Sequence, residues 1–155
     1  MSQRPAHVLL ICLTVIASSC ASFSATYAGT GPANKASEFS SRAEKRFSEL
    51  ETLSPADAEA VSKIDIYFDS VPEQLMVDGT TIGIKEGANA ELIGSVLVVA
   101  NWVQHSPADA VPVLQKAAHA AGANLAYCPI AGMGWRCFLV RVAPAAEPAS
   151  SATTL

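Results

Sequence analysis

Phe39, Ala43, Phe47, Leu50 and Leu53 recur at spacings of four, four, three and three, the period of one helix face. Glu38, Arg42, Glu44, Lys45, Glu49 and Glu51 fill the opposite face. The pattern predicts an amphipathic helical segment over 38–61 that rests on the domain, or alternatively offers itself to a partner. Within it, Ser54-Pro55-Ala56-Asp57 reads as a second helix start, with Ser54 as N-cap and Pro55 at the first helical position. Ile64 to Phe68 then forms a first strand, closed by Val71-Pro72. Leu75 to Ile82 reads as a hairpin, because Asp78-Gly79 suits the positive φ angles of a two-residue turn. Leu92 to Val99 is apolar almost throughout and predicts a strand buried on both faces.

One globular helix is expected from Asp109 to Gly122. With Asp109 as N-cap, Pro112 falls in the first turn, where a missing N–H costs nothing; a start at Ser106 would move it into the interior. Val111, Leu114, Ala117, Ala118 and Ala121 make the buried face, and Gly122 ends the helix in the left-handed conformation. The chain closes with a hairpin, Ala123 to Ile130 and Trp135 to Val142, joined by Ala131-Gly132-Met133-Gly134. A loop of that length sets Ile130 opposite Trp135, and therefore Cys128 opposite Cys137, within disulfide reach. Tyr127 then faces Phe138 and Leu125 faces Val140. Pro129 suggests that Cys128 and Cys137 form a hydrogen-bonded pair, so that its missing donor points away from the partner strand. The predicted class is α+β over residues 62–143: a small mixed or antiparallel sheet with one packed helix and a disulfide-bonded C-terminal hairpin. The Pro-, Ala- and Ser-rich residues 144–155 predict a disordered tail.

The N-terminus changes the picture from domain to address. Arg4 precedes an uncharged apolar run, Val8 to Ala17, too short to span a bilayer and of signal-peptide length. Ala17-Ser18-Ser19-Cys20 resembles a lipobox. Residues 1–19 are therefore expected to be a signal peptide and Cys20 the lipidation site, carrying diacylglycerol and palmitate-type acyl chains. The alternative is a plain signal cut after Ala28, which discards Cys20. Residues 20–37, rich in Ala, Ser, Thr and Gly, read as a flexible tether behind the anchor. The expected location is the periplasmic face of the outer membrane, with the soluble periplasm as the alternative. The net charge of −4 disfavours nucleic acid as a partner.

Candidate chemistry is sparse. His105, His119, Cys128 and Cys137 are the soft metal ligands, without C-x-x-C or H-x-x-x-H spacing. His119, four residues after Gln115, is placed on the solvated helix face. The two cysteines fit a structural bridge in an oxidising compartment. There is no G-x-S-x-G, and Gly132-Met133-Gly134 has no helix after it to cradle phosphate. Trp102 and Trp135 fit either a binding surface or burial at sheet ends. No catalytic, cofactor-binding or metal-binding residue is expected.

Ile66-Tyr67-Phe68 with Pro72, Glu91 to Val96, Leu114 to Ala118, Ala121-Gly122-Ala123-Asn124, and Cys128 with Cys137 together resemble a family of small bacterial envelope lipoproteins. The arrangement is also similar to that of the outer-membrane sensor lipoproteins of the Rcs envelope-stress phosphorelay. The resemblance covers residues 64–142. It departs in having one disulfide-ready pair rather than two, and in carrying the Leu75–Ile84 hairpin, which is faintly similar to PEGA-type modules. It implies a non-enzymatic envelope lipoprotein with a protein-interaction or envelope-stress role, held to the membrane at Cys20 and contacting another envelope protein. The alternative is a small periplasmic thiol or metal sensor using Cys128, Cys137 and His119.

Overall fold

A computed structural model describes residues 23–100, 106–131 and 134–144. In chain order the elements are β1 (Phe23–Gly29), α1 (Ala33–Glu49), α2 (Pro55–Ser62), β2 (Asp65–Tyr67), β3 (Leu75–Asp78), β4 (Thr81–Ile84), β5 (Ala90–Ala100), α3 (Pro107–Ala121), β6 (Leu125–Tyr127), β7 (Ile130–Ala131) and β8 (Gly134–Val142). The main sheet runs β1-β5-β8-β6-β2, with β7 added beside β8, and β3-β4 forms a separate hairpin. Among the described strands only β2 and β6 pair in parallel, so the sheet is mixed and the fold is α+β, as expected.

The molecule has three layers. On one face of the sheet lie α1 and α3, enclosing Tyr27, Ala43, Val96, Val98, Leu114, Ala117, Ala118 and Leu139. On the other, the hairpin buries Leu75 against Leu125, Tyr127 and Val140, with Ile82 and Ile84 packed alongside. The packed helix expected in the domain is α3, and the amphipathic segment expected to rest on the domain supplies α1 beside it.

The expected tether is the largest correction. Residues 23–29 form an edge strand paired along its length with β5, from Phe23↔Ala100 to Gly29↔Gly94, and α1 begins at Ala33 rather than at residue 38. The physical reason is alternation. Phe23, Ala25 and Tyr27 turn toward the helices while Ser24, Thr26 and Ala28 turn away, the period of a strand with one buried face. Tyr27 sits edge-on to Phe39 and Phe47, with ring centroids 6.5 and 6.2 Å away. The apolar stripe on α1 is as predicted, with Ala43 and Leu50 buried. The helix can lie close because Gly94, next to a bulge in β5, has no side chain. A Cβ at Gly94 would stand 2.6 Å from the Phe39 ring and 2.7 Å from the Ala28 carbonyl.

The remaining elements confirm or shift the predicted boundaries. Ser54 caps α2, its hydroxyl accepting from the Asp57 amide at 3.1 Å. The hairpin exists, but Asp78 pairs with Thr81, so the two-residue loop is Gly79-Thr80 with φ +57° at Gly79. A glycine at the first loop position satisfies the turn without a second positive φ. β5 is not buried on both faces. Val96 and Val98 are sealed beneath the helices, whereas Val99 is 38% exposed on the other face, beyond the cover of the short hairpin.

Helix α3 starts three residues earlier than predicted. Ser106 and Asp109 form a reciprocal capping box, and Pro107 takes the first helical position, which leaves Pro112 inside the helix. Pro112 cannot donate to the carbonyl of Ala108, four residues back, and the box satisfies two end groups in compensation. The earlier start also puts Ala110 in the core, whereas Val111, expected there, is half-buried. Gly122, at φ +80°, ends the helix as predicted. Asn124 then acts as a surrogate strand residue: its amide donates to the Val142 carbonyl and its oxygen accepts from the Val142 amide, both at 2.8 Å. Gln115 ties α3 to the start of β2 by donating to the Ile64 carbonyl at 3.1 Å.

Candidate functional site

The last hairpin brings the two predicted cysteines together. Tyr127↔Phe138 and Leu125↔Val140 are paired as expected, and Cys128 and Cys137 are disulfide-bonded with Cα atoms 4.1 Å apart. The predicted hydrogen-bond phase is reversed. The Cys128 amide donates to the Tyr67 carbonyl of β2 at 2.7 Å, away from β8. Cys128–Cys137 is therefore the non-hydrogen-bonded kind of pair, which has the closer Cα spacing. It follows that Pro129 turns its missing donor toward β8, and here the ladder is interrupted between β6 and β7. The disulfide spans that interruption. Both cysteines are fully buried in the core beneath the helices.

His119 is placed differently from the expectation. It is half-buried, with its Nδ1 enclosed and lacking a hydrogen-bond partner. It lines a cleft between the middle of α1 and the end of α3, together with Arg42, Arg46 and Arg141. The structure does not group it with the cysteines as the sensor reading requires. Among the described residues no three His, Cys, Asp or Glu side chains are clustered for a metal ion. Cys20, Trp102 and His105 lie outside the described residues, as do the signal segment and residues 145–155. Trp135 pairs with Val98 and Ile130 in the sheet.

A second concavity opens on the opposite face. The root of the β3–β4 hairpin packs on the sheet, but its tip stands over β5 and β8. Val77, Ile82, Leu97, Tyr127 and Phe138 line a groove of about 480 Å³ between them, with Arg136 and Pro129 at its border. Val77 is 39% exposed and Met76, on the outer side of the hairpin, 54%. The groove offers apolar contact with one cation beside it, the composition of a binding surface.

Among the described residues, the Tyr27 hydroxyl is likewise buried without a hydrogen-bond partner. Burial, and secondarily the Glu44 carboxylate, raises its pKa above the ordinary value.

The arginine cleft and the groove were not evident from the residues alone. Arg42 and Arg46, at the i,i+4 spacing of one helix face, were the available signal for the first. No family model, curated protein or solved structure matches the chain.

Proposed function

We propose that the chain is an exported envelope protein, lipid-anchored at Cys20, whose folded head binds another envelope protein rather than catalysing a reaction. The observation that carries the binding role is the apolar groove under the hairpin tip, bordered by Arg136. Export is supported by the buried Cys128–Cys137 bridge, because a disulfide sealed in a core belongs to an oxidising compartment. Cleavage before Cys20 is favoured over cleavage after Ala28, since the later cut would remove β1 and take Tyr27 out of the core. Burial of both cysteines favours a permanent bridge over a cycling thiol pair.

A photo-cross-linker placed at Val77 tests the binding role in intact cells. The expected result is a discrete adduct with one envelope protein, absent when the linker is at Lys63 and lost when Leu97→Asp spoils the groove. The same adducts from Val77 and Lys63 would refute it. For the anchor, Cys20→Ala should move the protein from the membrane to the soluble fraction; a wild-type protein already soluble would refute lipidation.

A further inference from the structure

The cleft between α1 and α3 is a concentration of positive charge in an acidic chain. It has a volume of about 400 Å³; Arg42, Arg46, Arg141 and His119 are in its wall, and among the described residues no acidic side chain lines it. Its floor includes Phe39, Ala43 and Ala121. Each arginine keeps donors in reserve. Arg46 reaches outward to Glu49 at 3.3 Å and Asp57 at 3.8 Å. Arg141 donates through Nε to the Gly122 carbonyl at 3.0 Å and approaches Glu91 at 3.5 Å. These contacts fix two guanidinium groups without using all five N–H donors of either. Arg42 has no partner among the described residues, and His119 Nδ1 is enclosed and unpaired.

We propose that this cleft binds a small phosphate-bearing molecule. Guanidinium groups from two elements of the fold match the several oxygens of a phosphate better than a single carboxylate, and the cavity is of small-molecule size. The ligand comes from solution rather than from the membrane surface at the chain's N-terminal end. Arg141 pairs across from Glu91, whereas β1 begins at Phe23 opposite Ala100, at the other end of β5. The separation along that strand is roughly 30 Å.

Titration calorimetry of the full chain with inorganic pyrophosphate at low salt tests the site. The expected result is saturable one-to-one binding, weakened about tenfold or more by Arg42→Glu, retained by Arg42→Lys, and unchanged by Lys63→Glu, which alters charge equally outside the cleft. Arg42 makes no hydrogen bond or ion pair among the described residues, so the melting temperature of Arg42→Glu should not fall below the wild-type value. No saturable binding, or equal loss in Arg42→Glu and Lys63→Glu, would overturn the proposal. So would association with phosphatidylglycerol vesicles in the absence of pyrophosphate binding, which would assign the charge to a lipid surface.

Discussion

Replacing both Cys128 and Cys137 by Ala removes the disulfide at the point where Pro129 interrupts the β6–β7 ladder. The cysteines are 9 residues apart, so in chain-entropy terms the loop closure contributes about 2.6 kcal/mol. Both side chains are fully buried in the helix-side core. Loss of the two sulfurs leaves space that neighbouring Ala117, Ala118 and Ala126 have no side-chain length to fill, adding about 1–2 kcal/mol. The expected total is about 4 kcal/mol, or a fall in Tm of roughly 10–20 °C for a domain of this size. Urea denaturation of the oxidised wild type and the double variant measures it, with the m-value checking that both unfold in the same way. A permanent, buried bridge also predicts that reduction of the native protein is limited by its opening, so the rate should plateau as dithiothreitol rises. A stability loss below about 1 kcal/mol, or a reduction rate that climbs in proportion to reductant without limit, would refute the reasoning.

Leu114→Ala should cost about 3–5 kcal/mol in the same assay, near the top of the usual range, because the alanines around it on α3 cannot collapse into the space. Gly94→Ala should destabilise by more than about 2 kcal/mol, since the new methyl meets the Ala28 carbonyl, which is backbone, as well as the Phe39 ring. Tyr27→Phe removes a buried hydroxyl with no partner and should be neutral or stabilising by up to about 1 kcal/mol near pH 7. It should also flatten the alkaline limb of stability. The folded pKa is raised above the unfolded value near 10, so the wild type is fully stable below that pH and loses stability as the unfolded chain ionises above it.

Local features were legible in the sequence and non-local ones were not. The register of the last hairpin, and with it the disulfide, followed from the length of one loop. The Ser54-Pro55 helix start and the Gly122 stop followed from side-chain and backbone chemistry at single positions. The phase of the Cys128–Cys137 pair did not, because it depends on β2, which takes the Cys128 amide from outside the hairpin. β1 was hidden by its small residues: Ser24, Ala25, Thr26 and Ala28 have the composition of a linker, and its partner β5 is remote in the chain. The start of α3 lies earlier than the position of Pro112 alone suggests, because the Ser106–Asp109 capping box offsets the bond that Pro112 cannot make. Arg42 and Arg46 were visible as neighbours on α1, but His119 and Arg141 join them only through the packing of α3 and β8.

The ordered strand at Phe23 sets the reach of any anchor. Cys20 and Phe23 are separated by at most about 11 Å of fully extended chain, little more than the depth of one headgroup layer. A lipid on Cys20 would therefore leave the head on a very short leash, lying against the bilayer instead of sampling the space beyond it. Whatever binds the groove would have to come to that surface. Inserting a flexible linker of ten residues after Cys20 would lengthen the leash without touching the fold, separating the requirement for the head from the requirement for its height above the membrane.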